Sequence, residues 1–342
     1  MRIAIVSDAW TPQRNGVVRV LASLRQELEA RGCSVEVVSP DQFRTVPLPS
    51  YSEIPLAVMP GRGVASRLGA FRPQAVHIAT EGPLGWAARA WCVARGLPFT
   101  TAYHTQFPHY LRVRTGLPLA ASFALMRWFH RPSSGVLVPS PSVHEELSGR
   151  GFERLRQWSH GVDTQVFHPR PKTFFNVARP IFLYAGRVTV DKNLPAFLDL
   201  DLPGSKIVVG DGPARESLMR RYPETRFHIA KTDDELAWCY SAADAFVFPS
   251  RTDTFGLVML EAMACGVPVA AFPVTGPRDV LAGSDAGVLS EDLAAAARQA
   301  LPIPPGNCLR HAARFSWSAV ADQFLSYLQP ISLYDSPVEG AA

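Results

Sequence analysis

Short, wholly apolar runs recur along the chain, and between them apolar positions return every three or four residues. "IAIVS" (3–7) is the first such run and predicts a buried strand. "VVRVLASLRQELEARG" (17–32) carries helical periodicity and ends in Gly, and "SVEVVSP" (34–40) is the next strand. A strand, a crossover helix and a second strand form a βαβ unit, which implies parallel pairing. Further strands are predicted at "AVHIA" (75–79), "FTTAYH" (99–104) and "GVLVPS" (135–140), with helices at 84–95, 119–130 and 142–150. The pattern then starts again with "IFLYAG" (181–186), "KIVVG" (206–210), "RFHIA" (226–230), "AFVFPS" (245–250) and "VPVAAF" (267–272). Two doubly wound, Rossmann-like α/β domains in tandem follow. The Pro-rich, basic stretch 159–180 closes the first domain and links it to the second, 316–329 reads as an amphipathic helix, and "SPVEGAA" as a frayed tail.

Length agrees with that division, because 342 residues exceed what one hydrophobic core normally serves. No apolar run approaches the ~20 residues of a membrane span, and the N-terminus enters a strand without a signal-peptide layout. A cytoplasmic location is expected. The five cysteines (Cys33, Cys92, Cys239, Cys265, Cys308) lie far apart, with neither metal-site nor disulfide-framework spacing, and read as reduced, mostly buried thiols.

Charge is uneven. Residues 1–168 hold 18 Arg, no Lys and 11 acidic residues, net +7, against 16 basic and 19 acidic residues, net −3, in the remainder. Residues 82–144 contain no Asp or Glu but six arginines (Arg89, Arg95, Arg112, Arg114, Arg127, Arg131), interleaved with Trp86, Trp91, Phe107, Tyr110, Trp128 and Phe129. Such a stretch suits an anionic membrane surface or an anionic acceptor. A solvated basic face over core aromatics is an equal reading, and no recognition motif points to nucleic acid.

In open parallel sheets, ligands bind at loops after the strands. Asn15-Gly16 follows the first strand, and a glycine there lets a ligand approach the amides of a helix N-terminus, although the pair is also an ordinary turn. "GRVTVDKN" places Arg187 and Lys192 at a strand-to-helix junction, where two cations could neutralise a diphosphate leaving group. "VVGDGP", with Gly210 and Gly212, is a tight turn that could approach a nucleotide. "FGLVMLEAMA" (255–264) is apolar around the whole helical circumference apart from Glu261. An ionised carboxylate left unpaired there would be costly, so Glu261 requires a basic residue or ligand hydroxyls. Asp253, near the start of that helix, reads by itself as an N-cap.

Together these residues resemble the retaining glycosyltransferases of family four, over nearly the whole chain. The most specific element is an acidic-x7-acidic motif, Asp253 to Glu261 in "PSRTDTFGLVMLEAMACGVPVAA", supported in order by "YHTQFP", "SHGVD", "GRVTVDKN" and "VVGDGP". The resemblance implies a GT-B fold, two Rossmann-like domains facing a central cleft: residues 1–168 binding the acceptor, 169–312 binding the nucleotide sugar, and 313–342 a helix packing back on the first domain, plus tail. It implies a hexosyltransferase that moves a hexose from a UDP- or GDP-linked donor with retention of configuration. Glu261 would hold the donor ribose, and Asp253 with the backbone of Phe255, Gly256 and Leu257 the sugar. Arg187 and Lys192 would bind the diphosphate, Gly16 would lie near it, and Ala230 and Lys231 would flank the base. His104 would contact the transferred sugar near the reacting carbon. The family's first acidic residue is often Glu, and Asp253 is one methylene shorter.

No metal site and no essential cofactor are expected, the nucleotide sugar being a co-substrate. "YHTQFPHYL" is similar to lipid glycosyltransferases of this family, so the expected acceptor is a membrane lipid such as a diacylglycerol, which would place the enzyme peripherally on the inner face of the cytoplasmic membrane. A soluble or polysaccharide acceptor is the alternative. A nucleotide-sugar 2-epimerase shares the fold and would draw on Asp8, Glu81 and His104.

Overall fold

The computed structural model describes every residue except 14, 49, 50, 109–111, 113–115, 117 and 332–342, and of 51–54 the backbone alone. Tyr110, Arg114 and the tail 336–342, singled out above, fall outside the described residues. The chain divides into two compact units, one of residues 1–159 with the segment from Ser318 on, the other His160–Trp317.

The first unit contains β1 (Arg2–Val6), α1 (Gly16–Ala30), β2 (Ser34–Val38), β3 (Thr45–Leu48), β4 (Tyr51–Ala57), α2 (Gly61–Phe71), β5 (Ala75–Ile78), α3 (Pro83–Val93), β6 (Thr100–Ala102), α4 (Leu119–His130), β7 (Gly135–Val138), α5 (Pro141–Gly149) and β8 (Leu155–Gln157). Its main sheet runs β2-β1-β5-β6-β7-β8, parallel throughout. The apolar runs are explained by that arrangement: strands covered on both faces bury both sets of side chains, and Ile3 to Val6 are all fully buried. The antiparallel β3–β4 hairpin was not foreseen, because three prolines in "TVPLPSYSEIPLA" argue against a strand.

The C-terminal helix (Trp317–Tyr327) docks on the first unit. Arg31 meets Asp322 at 2.9 Å, the Trp158 indole N–H donates to the Val320 carbonyl at 3.1 Å, and the Tyr327 hydroxyl donates to the Gln157 carbonyl at 2.9 Å.

The acid-free stretch splits between core and surface. Trp91 and Phe129 are buried, whereas Trp128 is 53% exposed and stacks on Trp86 with centroids 5.0 Å apart. Arg89 lies over both indoles and donates to the carbonyls of Trp128 and Phe129, capping the C-terminal end of α4.

The second unit contains β9 (Ile181–Ala185), α6 (Pro195–Leu198), β10 (Ser205–Val209), α7 (Arg215–Arg221), β11 (Arg226–His228), α8 (Asp233–Ala242), β12 (Ala245–Phe248), α9 (Leu257–Ala264), β13 (Val269–Ala271), α10 (Pro277–Val280), β14 (Gly287–Leu289), α11 (Leu293–Ala300) and α12 (Pro305–Ala312). Its parallel sheet runs β11-β10-β9-β12-β13-β14. Asp244, at the start of β12, accepts from Lys172, Arg179 and the Ile181 amide, and so ties the stretch ahead of β9 to the sheet. All five cysteines are free; burial pushes four of them, Cys92, Cys239, Cys265 and Cys308, up to about 12.

Candidate active site

In the second unit the strand order reverses direction between β9 and β12. At such a switch point the loops leaving the two strands diverge, which opens a crevice at their carboxyl ends. The loop after β9 carries Arg187 and Lys192, and the loop after β12 carries Asp253. Lys192 Nζ stands 2.6 Å from Asp253 Oδ1. Two more contacts join the same loops: the Asn193 amide donates to the Pro249 carbonyl at 3.1 Å, and the Thr252 hydroxyl to the Asp191 carbonyl at 3.3 Å. Asn193 adopts the left-handed conformation (φ 55°), which asparagine tolerates well, and this aims its side chain at the second loop.

Asp253 is not the N-cap of α9, contrary to the sequence reading. That position belongs to Gly256 (φ 92°), which makes no side-chain cap bond, and α9 begins at Leu257 rather than at 255. Released from capping, Asp253 gives one oxygen to Lys192, while Oδ2 is buried without a hydrogen-bond partner among the described residues. A buried, unsatisfied carboxylate oxygen is a costly feature that a bound hydroxyl would relieve. The loop is backed by Gly276, where a Cβ would stand 2.9 Å from the Asp253 carbonyl oxygen; the sequence reading missed this glycine.

Glu261 is 3% exposed, and one of its partners is a neutral hydroxyl. The Tyr240 hydroxyl donates to Oε2 at 2.9 Å, a partner that sequence reasoning did not name. Tyr240 is itself fixed by edge-on packing against Phe167 and Phe246. Phe255 is buried, its ring edge-on to His160 at 4.9 Å, so only its backbone remains for a ligand.

Gly210 and Gly212 serve packing first. A Cβ on Gly210 (φ 148°) would lie 1.9 Å from the Gly186 carbonyl oxygen, and one on Gly212 (φ 154°) 2.5 Å from that of Val188. The loops after β9 and β10 therefore lie backbone to backbone, joined by the bonds Val188 N to Asp211 O and Ala214 N to Val188 O. Next to them, the Lys231 amide donates to Glu235 at 2.7 Å, and this bond together with that from His228 holds the Glu235 carboxyl below its usual range.

The remaining named residues lie in the first unit. Gly16 is exposed as the first residue of α1, and Asn15 caps that helix by accepting from the Val18 amide at 3.0 Å. His104 follows β6, and burial pushes its pKa down to about 4, leaving a neutral imidazole at physiological pH. Asp8 follows β1 and accepts from the amides of Leu84 and Gly85 and from the Thr80 hydroxyl, at the start of α3; burial raises its pKa despite these bonds. Glu81 lies 3.3 Å from buried His130. Asp8 is thus engaged inside the unit, whereas the Glu81 oxygen facing His130 makes no hydrogen bond among the described residues.

With this geometry in view, two family models match the chain: Glycosyltransferase Family 4 over residues 14–166 and Glycosyl transferases group 1 over residues 179–302. A GDP-mannose-dependent alpha-mannosyltransferase of Mycobacterium tuberculosis is 30% identical over 317 residues, covering 84% of this chain and 83% of that protein. The alpha-monoglucosyldiacylglycerol synthase of Streptococcus pneumoniae is 26% identical over 356 residues, covering 89% and 79%. Among solved structures, the sucrose-phosphate synthase of Thermosynechococcus elongatus superposes with a TM-score of 0.76 at 20% identity, covering 95% of this chain and 97% of that one. The two sheets therefore form a GT-B fold. The chain belongs to glycosyltransferase family 4. It is an enzyme of the hexosyltransferase class that acts on nucleotide sugars.

Proposed function

We propose that this enzyme transfers a hexose, with retention of configuration, from a nucleotide sugar to the hydroxyl of a membrane lipid such as a diacylglycerol. The observation that carries the donor half is the Lys192–Asp253 contact at the switch point, with the second Asp253 oxygen buried and unsatisfied. Lys192 and Arg187 receive the departing diphosphate, whose charge develops in the transition state, and no metal is required for that step. The free oxygen of Asp253 accepts from a sugar hydroxyl, the backbone of Phe255, Gly256 and Leu257 lines the same sugar, and Glu261 takes the ribose. His104 donates or accepts at the transferred sugar as a neutral ring. The acceptor hydroxyl attacks on the face the diphosphate leaves, and a phosphate oxygen takes its proton.

The acceptor half is supported by α4. Its outward residues Ala120, Ala121, Ala124, Leu125 and Trp128 are exposed and apolar, with Arg127 and Arg131 at its end and no acidic residue between 82 and 144. A helix of that kind lies in an anionic lipid interface. Among the described residues no helix is long and apolar enough to cross a membrane, so contact would be peripheral. A diacylglycerol-linked product in the name of the pneumococcal relative agrees with this acceptor.

The test is nucleotide release from GDP-mannose, UDP-glucose, UDP-galactose and UDP-glucuronate, with and without diacylglycerol vesicles and EDTA; GDP-mannose comes first because the mycobacterial relative depends on it. Lipid-stimulated, EDTA-resistant release with an α-linked glycolipid product is expected. Interconversion of the sugar without an acceptor, or an inverted product, overturns the reading.

A further inference from the structure

The first unit contains a cluster of four rings that the transfer reaction does not by itself require. Trp158, just after β8, is 1% exposed. Its ring stands edge-on to His104, with centroids 5.8 Å apart and planes at 66°. On the other side it meets Phe324 of the C-terminal helix at 5.4 Å, and His77 of β5 lies edge-on to Phe324 at 5.0 Å and to Trp158 at 6.2 Å. His77 and Phe324 are fully buried.

Trp158 is anchored through both its side chain and its backbone. Its side-chain N–H donates to the Val320 carbonyl of the C-terminal helix, and its backbone amide donates to the Val138 carbonyl at the end of β7. Turning the ring would break a buried hydrogen bond and disturb three aromatic contacts, so the wall that Trp158 offers to His104 is set by the docked helix.

We infer that the C-terminal helix positions His104 for transfer through Trp158, which makes Trp158 a positioning residue and links helix docking to turnover. The inference rests on the proposed contact of His104 with the transferred sugar. The Val320 carbonyl fixes the indole, and the indole edge in turn fixes the imidazole better than a flexible side chain would; an error of about 1 Å at a reacting group can reduce rate by a factor on the order of 100.

The test is a double-mutant cycle between Trp158→Phe and His104→Ala, with Phe324→Leu as a milder disturbance of the same wall should Trp158→Phe fold poorly. Tyr327→Phe is the control: it removes a bond that docks the same helix without touching the rings. Nucleotide release from GDP-mannose or UDP-glucose with diacylglycerol vesicles gives kcat and donor KM, and thermal melting reports folding. With rates referred to the folded fraction from the melting curves, since loss of folded protein also lowers apparent kcat at constant KM, Trp158→Phe and Phe324→Leu should lower kcat about tenfold with donor KM within about twofold. Tyr327→Phe should turn over as wild type, and Trp158→Phe should add nothing in the His104→Ala background. Wild-type kcat in both ring variants, or an undiminished effect of Trp158→Phe without His104, overturns the inference while leaving the role of His104 intact. Wild-type turnover in His104→Ala removes the role of His104 and the inference with it.

Discussion

Lys192 and Asp253, 61 residues apart in sequence, meet at 2.6 Å across the switch point of the second unit. Each offsets the charge of the other. Replacing Asp253 by Asn therefore has two opposite effects. With the more distant Asp191 carboxylate left at 3.9 Å, Lys192 should bind free GDP or UDP at least about threefold more tightly, on the order of 1 kcal/mol for a partly exposed pair. Transfer should fall, because the carboxylate no longer accepts from the sugar. Lys192→Ala should lower kcat by about 10²–10³-fold, as loss of one leaving-group stabiliser does elsewhere. Calorimetric titration and steady-state kinetics read the two effects; unchanged nucleotide affinity in Asp253→Asn counts against the charge coupling, and wild-type turnover in both Arg187→Ala and Lys192→Ala against the diphosphate site.

Tyr240→Phe tests the orientation of Glu261. The variant deletes one buried hydrogen bond, worth about 1 kcal/mol, and keeps the ring packing on Phe167 and Phe246. If Glu261 holds the ribose in ground and transition state alike, donor KM should rise about fivefold with kcat unchanged. A fall in kcat at constant KM would place Glu261 nearer the chemistry than proposed.

Gly210→Ala separates packing from ligand contact. The added methyl would meet the Gly186 backbone at 1.9 Å, in a conformation that L residues avoid. Strain of that kind costs about 1–3 kcal/mol or more. A lower urea midpoint is expected, whereas Gly61→Ala, at the start of α2 with open space around it, should be neutral or slightly stabilising. Full stability with lost nucleotide binding in Gly210→Ala would move that glycine from the scaffold to the site.

These cases also show how far the chain could be read beforehand. Strands covered on both faces announce themselves as apolar runs, so both parallel sheets were legible, as was the motif spacing from Asp253 to Glu261. Partners fixed only by tertiary approach were not. Nothing local points from Glu261 to a hydroxyl 21 residues earlier, or from Asp8 to amides 76 residues later. Asp253 misled because an acidic residue before a helix is usually a cap, and here Gly256 turns the chain instead.

His77 makes stability depend on pH. Burial, with the nearby His104 ring, lowers its pKa to about 3, so the folded state keeps it neutral while the unfolded chain takes up a proton near pH 6.5. Unfolding then binds a proton between those values, and stability is greatest above about pH 6.5 and falls on acidification by ~1.4 kcal/mol per pH unit from this group. His77→Leu should flatten the urea stability profile between about pH 7 and 5 by that slope, followed by tryptophan fluorescence. An unaltered slope would mean that His77 is protonated in the fold.

Leu125 and Trp128 offer the most direct check on membrane contact. They are 43% and 53% exposed on the outward face of α4, so replacing both with Ser should cost only the stability of the Trp128 contacts with Trp86 and Arg89, and leave transfer to a soluble acceptor analogue intact. If that face enters the lipid interface, each side chain contributes on the order of 1 kcal/mol from the apolar area it buries there. Partitioning onto phosphatidylglycerol-containing vesicles should then fall about tenfold or more in the double variant. Raising the salt concentration should weaken wild-type binding, since Arg127 and Arg131 act through screened attraction to the anionic surface. Wild-type co-sedimentation of the double variant would move the contact away from α4, and no wild-type binding at low salt would favour a soluble acceptor.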